Sequence, residues 1–120
     1  MPSADAGFVV VLTTAGSDEE ASRIAAALVE RRLAACVNVV PGVVSHYRWK
    51  GEVHRDEERL LLIKTAERLF PEVRRAIREL HSYELPEVVM VRIGGGDEEY
   101  LAWLADGLAP ETGGGPPAGG

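Results

Sequence analysis

The sequence predicts an α+β fold: a ferredoxin-like sandwich with the element order β-α-β-β-α-β and a short helix at the C-terminal end. Apolar runs typical of strands occur at residues 8–12, within residues 36–63 and at residues 88–93. Apolar residues at helical spacing occur in residues 17–32 and 67–81. A right-handed βαβ crossover, used twice, would place both helices on one face of an antiparallel sheet.

The first strand and the first helix have clear boundaries. The continuous run Phe8–Leu12 predicts a central strand that is buried on both faces. Ser17 is a candidate helix N-cap, and Glu20 follows at the spacing of a capping box. The helix that begins there is predicted to end near Arg32.

Residues 36–65 predict a very long β-hairpin. Pro41-Gly42 interrupts the first arm, after which Tyr47 and Trp49 alternate onto one side. Lys50-Gly51 supplies the turn, and the chain returns toward Leu60–Ile63. A hairpin of this length exceeds what a small sheet can cover, so pairing with another copy of the chain is predicted.

The second half of the chain continues the pattern. The second helix is predicted from about Glu67 to His81, with Pro71 in its first turn, where a missing N–H costs little. Val88–Ile93 predicts the last strand, and Asp97 caps a short helix. The sheet face opposite the two main helices has little cover of its own, which is a second indication of self-association.

Composition sets limits on the class of protein. The 120 residues carry a net charge of −6 and include one cysteine. One domain is predicted at residues 8–108, between a flexible leader at 1–7 and a disordered Gly/Pro-rich tail at 109–120. The acidic balance argues against a nucleic-acid partner, and no run approaches the ~20 apolar residues of a membrane helix. A single cysteine fits a reducing compartment, and a cytoplasmic location is expected.

Five segments carry a resemblance to a known family: Leu33–Asn38, Ser45–Gly51, Leu62–Thr65, His81–Glu87 and Tyr100–Trp103. Together they resemble the CutA divalent-cation tolerance proteins over about residues 8–108. The resemblance implies a homotrimer, similar in architecture to the PII signalling proteins, in which the hairpin strands pair between subunits. It also implies a role in tolerance of divalent metal ions, notably copper. It implies no enzymatic activity and no obligatory cofactor, with Cu(II) or another divalent cation as the candidate ligand.

The resemblance also nominates site residues. Cys36 matches the family cysteine. The positions that match the family's inter-subunit clefts are Tyr47, Trp49, Glu58, Lys64, His81, Tyr83, Glu84, Tyr100 and Trp103. Two positions depart from the family pattern: Ser82 replaces a proline in the His-Pro-Tyr segment, and Gly16 stands where many members have proline.

The metal-ligand candidates are Cys36 and His81, and each has an alternative interpretation. A thiolate binds copper strongly, but a free cysteine that opens an apolar strand is more often a small buried hydrophobe. His81 suits a helix C-terminus, yet it is close in sequence to Tyr83, Glu84 and Glu87, which favours a functional role. His46 and His54, on the two arms of the hairpin, are predicted to lie roughly opposite each other, so a two-imidazole surface site is sterically possible.

Glu58 and Lys64 share one face of the returning strand, because they are six residues apart. They could form an ion pair across a subunit boundary or the charged floor of a ligand cleft. The leading hypothesis is a homotrimeric metal-binding protein. The alternatives are a PII-like sensor that binds a small anionic metabolite through Lys64, and a structural trimer that scaffolds another protein. No nucleophile-base pair can be assembled, so no enzyme is predicted.

Overall fold

A computed structural model of the protein describes residues 7–111. The elements are β1 (Phe8–Ala15), α1 (Asp18–Glu30), β2 (Cys36–Trp49), β3 (Glu52–Ala66), α2 (Phe70–Leu80), β4 (Val89–Arg92) and α3 (Glu98–Asp106). The predicted α+β class and element order are confirmed. Residues 1–6 of the predicted leader and 112–120 of the predicted tail lie outside the described residues.

The sheet has the strand order β2-β3-β1-β4, and each neighbouring pair is antiparallel. β1 is an interior strand, as its continuous apolar run predicts, but Val10 and Leu12 are only half-buried, so its burial on both faces is incomplete within one chain. β1 continues to Ala15, beyond the predicted end at Leu12, since its pairing with β3 extends to Ala15 opposite Arg59. The predicted second helix begins instead as a 3₁₀ turn, Glu67–Leu69, before α2.

One face of the sheet, here called the first face, carries the hydrophobic core. Val9 and Val11 of β1 alternate with half-buried residues and are fully buried. Fully buried side chains of α1, α2 and β3 join the same cluster: Ile24, Leu28, Leu61, Ile63, Val73 and Ile77. The helices therefore cover this face, as predicted.

The opposite face, here called the second face, is covered only in part. α3 packs against it near Lys64, whose Nζ lies 3.3 Å from the Tyr100 hydroxyl. Val89 and Val91, which pair with the same face of β1, remain 46% and 53% exposed. The expectation of an undercovered apolar face is met within residues 7–111.

The hairpin of β2 and β3 projects beyond the rest of the sheet. β1 ends opposite Arg59, so residues 43–49 and 52–58 continue without a third strand. At about 3.3 Å per residue this overhang is roughly 23 Å long. It contributes to the 51 Å long dimension of the protein.

A bulge in β2 decides which way the hairpin side chains point. Val40 pairs with Leu60 and Val43 pairs with Glu58, so Pro41 and Gly42 together oppose one residue of β3. Because side chains alternate with a period of two, the extra residue moves Tyr47 and Trp49 onto the second face. At the tip, Lys50 and Gly51 have φ values of 51° and 84°, the left-handed pair of a type I′ turn.

The predicted pairing of His46 with His54 is wrong. His46 pairs with Arg55, whereas His54 pairs with Tyr47 and stacks on its ring at 5.3 Å. Paired residues of an antiparallel ladder share a face and successive residues alternate, so the two imidazoles lie on opposite faces.

Candidate functional site

The segment of residues 81–87, here called the 81–87 loop, crosses the second face of the hairpin overhang. A cavity of about 680 Å³ lies between the loop and the hairpin. We call it the hairpin cleft, and its lining includes Tyr47, Trp49, Asp56, Glu58, Tyr83, Glu84 and Glu87. Five of the nine residues predicted for the inter-subunit clefts therefore come together within one chain.

Glu58 forms the buried floor of the hairpin cleft. Glu58 is 7% exposed, and its Oε2 accepts a hydrogen bond of 2.7 Å from the Tyr83 hydroxyl. Burial, followed by this hydrogen bond and the charge of Glu58, raises the pKa of Tyr83 well above its ordinary value of 10.0. The phenol therefore stays protonated and donates its hydrogen to the carboxylate.

Carboxylates dominate the charge of the cleft. Partial burial, and then the nearby charge of Glu58, raise the pKa of Glu87 above its ordinary value of 4.5. Within residues 7–111, Asp56, Glu58 and Glu87 form no salt bridge. No Lys or Arg of the described residues is among the lining side chains, so this acidic cavity favours a positively charged ligand.

His81 holds the base of the 81–87 loop. Its side chain is fully buried, its Nε2 lies 2.6 Å from the Thr14 carbonyl, and its Nδ1 accepts the Tyr83 N–H at 3.1 Å. Because a carbonyl can only accept and an N–H can only donate, these partners place a ring hydrogen on Nε2 and leave Nδ1 as an acceptor. A metal at either nitrogen would have to replace one of these hydrogen bonds.

Glu20 fastens the same loop to α1. The Ser17 hydroxyl caps α1 by accepting the Glu20 N–H, as the capping-box spacing predicts. The Glu20 carboxylate turns instead to the loop and accepts the Ser82 N–H at 2.6 Å. Burial would raise the pKa of Glu20, but the hydrogen bonds from Ser82, together with His81, whose Nδ1 lies 3.5 Å away, and a Gly16 backbone hydrogen bond outweigh it, so the pKa lies below 4.5.

The tip of the hairpin closes one end of the cleft. The Tyr47 hydroxyl donates to Asp56, and this hydrogen bond is the main reason that the pKa of Tyr47 is raised. Lys50 lies 5.5 Å from the Trp49 ring and 3.7 Å from the Glu84 carboxylate. Both groups of that ion pair are exposed, so it contributes little to stability.

The remaining predicted cleft residues form a separate group around Lys64. Lys64 contacts the hydroxyl and the ring of Tyr100, and the Tyr100 and Trp103 rings lie 5.5 Å apart. Lys64 makes no salt bridge with any residue in 7–111. A half-buried ammonium beside the Tyr100 ring, with no carboxylate partner in residues 7–111, favours an anionic ligand. One chain therefore carries an acidic group and a basic group of site residues, not one combined cleft.

The two predicted metal ligands lie apart within one chain. Cys36 is half-buried beside its strand partner Lys64, at the level of Val10 in β1. His81 binds the carbonyl of Thr14, four residues further along β1, or about 13 Å along the strand. Residues 7–111 contain no group of three or more His, Cys, Asp or Glu side chains that could hold a metal ion. Metal ligation by Cys36 and His81 stays a prediction.

Two carboxylates of the cleft lining, Asp56 and Glu87, and the Glu20 carboxylate that binds the loop were not among the sequence-based site candidates. Asp56 could have been found, since it shares strand parity with Glu58. Glu87 lies within the 81–87 segment that resembled the family. Nothing local in the sequence signals that Glu20 binds Ser82, because 62 residues separate them.

Comparisons with the sequences of known proteins identify the family of this chain. The sequence model of the family described as CutA1 divalent ion tolerance protein matches residues 9–107. The divalent-cation tolerance protein CutA of Thermus thermophilus is 54% identical over 97 residues, covering 81% of this chain and 94% of the relative. By contrast, the chain spans only 54% of the length of the chloroplastic CutA 1 protein of Oryza sativa.

Solved structures share the fold. CutA1 from Oryza sativa matches with a TM-score of 0.86 at 38% identity, covering 91% of this chain and 100% of the other. The periplasmic divalent cation tolerance protein CutA from Archaeoglobus fulgidus matches with a TM-score of 0.81 at 37% identity, covering 83% and 97%. Because the family match spans most of the chain and the relatives exceed 30% identity, the chain belongs to the CutA1 divalent ion tolerance family.

Proposed function

We propose that the protein is a homotrimeric, non-enzymatic binding protein that contributes to divalent-cation tolerance by binding the cation at clefts between its copies. Membership of the family supports the link with divalent cations. The observation that carries the proposal is the hairpin cleft, which is lined by both Glu58 and Glu87, neither of which forms a salt bridge with any residue in 7–111. The charge of Glu58 also contributes to the raised pKa of Glu87. A divalent cation would relieve the repulsion between these carboxylates.

Self-association is supported by what the single chain leaves uncovered. The overhang has no third strand. β2 is an edge strand, so the N–H and C=O groups on its outer side can form hydrogen bonds with a strand of another copy. Val89 and Val91 expose apolar surface on the face that carries the cleft residues. A second copy that covers this face could also complete the ligand set of a cation. The number of three copies comes from the resemblance to the family.

Copper is the cation that we propose first. Thiolate and imidazole ligands suit copper, and Cys36 and His81 are the corresponding candidates. Because one chain holds them apart, a copper site would need ligands from a neighbouring copy. The carboxylates of the hairpin cleft are available as further ligands.

Isothermal titration of the metal-free protein with Cu(II) tests this proposal. Saturable binding is expected, and Glu58→Gln should weaken it by about tenfold through the loss of one charged ligand. Glu57→Gln is the matched control, because Glu57 is exposed and its strand partner Val44 places it on the opposite face. Cys36→Ala and His81→Ala test the two predicted ligands. Absence of saturable binding to the unmodified protein would contradict the proposal.

A PII-like sensor role is the second candidate, and Lys64 favours it. Its ammonium contacts Tyr100 but no carboxylate within residues 7–111, so a small anionic metabolite could bind there. A thermal-shift screen with nucleotides and organic acids tests this role, since a bound ligand raises the melting temperature by mass action. Lys64→Ala should abolish any shift. A shift that survives this substitution would remove Lys64 from the site.

The compartment is also a proposal. No helix between residues 7 and 111 has the length and apolar character needed to cross a membrane. We propose a cytoplasmic location, supported by the single free cysteine. Relatives are named for other compartments, periplasmic in Archaeoglobus fulgidus and chloroplastic in Oryza sativa. Fractionation of the native cells would decide among them.

A further inference from the structure

One hydroxyl group joins the 81–87 loop to the hairpin. The Tyr83 hydroxyl donates to the buried Glu58 carboxylate at 2.7 Å, while the Tyr83 ring rests 4.5 Å from the His81 ring. Tyr83 itself is 37% exposed, so its ring lies at the mouth of the hairpin cleft. Its hydroxyl occupies an oxygen of the most buried carboxylate in the cleft.

Gly16 provides the space for this hydroxyl. A Cβ atom at residue 16 would lie 2.9 Å from the Tyr83 hydroxyl oxygen, closer than real Cβ contacts allow. The same Cβ would lie 3.7 Å from Cε1 and Cζ of the ring, an ordinary van der Waals distance. The φ angle of Gly16 is not in the left-handed region, so its backbone accepts alanine. Glycine leaves room here for the hydroxyl, and the backbone conformation does not require it.

We propose that Gly16, Tyr83 and Glu58 form a latch that holds the 81–87 loop against the hairpin and controls access to the cleft. The Tyr83 hydroxyl acts as an internal ligand of Glu58. Gly16 is a positioning residue, because it acts only by leaving room for that hydroxyl. The part of the inference that concerns cations rests on the proposed function: an entering cation must displace the hydroxyl from Glu58.

The latch makes opposite predictions for one substitution in two backgrounds. In the parent protein, Gly16→Ala pushes the hydroxyl away from Glu58 and leaves a buried carboxylate without its partner, so the melting temperature falls. In Tyr83→Phe no hydroxyl is present, and the nearest ring atoms are at contact distance. There, Gly16→Ala restricts the unfolded chain without a clash, so the melting temperature rises.

A double-mutant cycle by thermal unfolding tests the latch without any ligand. The four proteins are the parent, Gly16→Ala, Tyr83→Phe and the double variant, compared at one protein concentration. Gly94→Ala is the control, since a Cβ there meets nothing within 4 Å. Reversal of the sign of the Gly16→Ala effect between backgrounds supports the latch. Equal effects in both backgrounds would overturn it.

Hydrogen exchange provides a second measurement on the Tyr83→Phe protein alone. Amides of the 81–87 loop should exchange faster than in the parent, while amides of β1 keep their protection. Unchanged exchange in the loop would show that the hydroxyl does not hold it, which would also overturn the proposal.

Titration with Cu(II) tests control of access. Tyr83→Phe and Gly16→Ala should each bind Cu(II) more tightly than the parent, by roughly tenfold, because no charge-assisted hydrogen bond must first be broken. Equal or weaker binding would overturn control of access while leaving the proposed function intact. If no variant binds Cu(II), the proposed function fails, and the thermal cycle still decides whether the latch exists.

Discussion

Removal of the Glu20 carboxylate should detach the 81–87 loop from α1. Glu20 is 6% exposed, and its carboxylate accepts the Ser82 N–H at 2.6 Å. Arg23 approaches the same carboxylate at 3.8 Å but is mostly exposed, so that contact adds little. The perturbation is Glu20→Ala, which removes the acceptor and keeps a strong helix former in the first turn of α1.

The expected loss follows from one charge-assisted hydrogen bond. A bond to a charged group contributes roughly 1.5–3 kcal/mol, so Glu20→Ala should lower the unfolding free energy by about 2 kcal/mol at neutral pH. Loss of an acidic side chain near the helix N-terminus adds about 0.3–1 kcal/mol. Glu19→Ala is the matched control, because Glu19 is exposed in the same turn and loses only the helix-dipole contribution.

The difference between these two variants should depend on pH in a defined direction. The pKa of Glu20 in the folded protein is below its ordinary value of 4.5, so the stabilisation is complete above that value. It is lost as the pH falls through the lower, folded-state pKa, because the carboxylate must then be protonated. Denaturant unfolding between pH 3 and pH 8 measures it. Equal stabilities of the two variants at neutral pH, or a difference that grows on acidification, would refute the role of Glu20.

Substitutions at three further positions test other parts of the structure. The pKa of Glu87 in the folded protein is raised, so ionisation of Glu87 destabilises the folded state as the pH rises above 4.5. Glu87→Gln should therefore be more stable than the parent protein at pH 7.5 but not at pH 4. Arg32 has a φ of 59°, and its guanidinium donates to the Asp106 carbonyl at 2.7 Å at the C-terminal end of α3. Arg32→Ala and Arg32→Gly both lose this hydrogen bond. The alanine variant should be less stable than the glycine variant by about 1 kcal/mol, because alanine keeps the strained φ. Gly51→Ala should destabilise the hairpin turn by about 1–2 kcal/mol, since φ is 84° there. Denaturant unfolding measures all three.

Much of the fold could be predicted because local patterns determine it. Several features depend only on neighbours within a few residues: the alternation of Tyr47 and Trp49, the turn at Lys50-Gly51, and the helix caps Ser17 and Asp97. Each of these features is present in the structure. The length of the hairpin also followed from sequence, since its two arms contain no other strong break than Pro41-Gly42.

The face on which the hairpin side chains lie could not be predicted in this way. The interruption at Pro41-Gly42 was visible, but its form as a bulge decides whether Tyr47 shares a face with Glu58. A bulge and a plain turn have similar compositions and opposite consequences for every later side chain.

The arrangement of the site depends on contacts between distant segments. Glu58 and Lys64 share a face, as predicted, yet six residues of extended strand separate them by about 20 Å. Tyr83 reaches Glu58 only because the 81–87 loop folds back across the hairpin, held by Glu20 and Thr14. Such tertiary contacts have no period or spacing in the sequence that would identify them.

Light scattering after size exclusion tests most directly the claim that copies of this chain assemble around the hairpin. The predicted mass is three times the 12.9 kDa of one chain, unchanged on dilution through the micromolar range. A mass of one chain, from a protein that unfolds cooperatively at ordinary denaturant concentrations, would contradict the account, because the uncovered overhang and second face would then be stable in water alone.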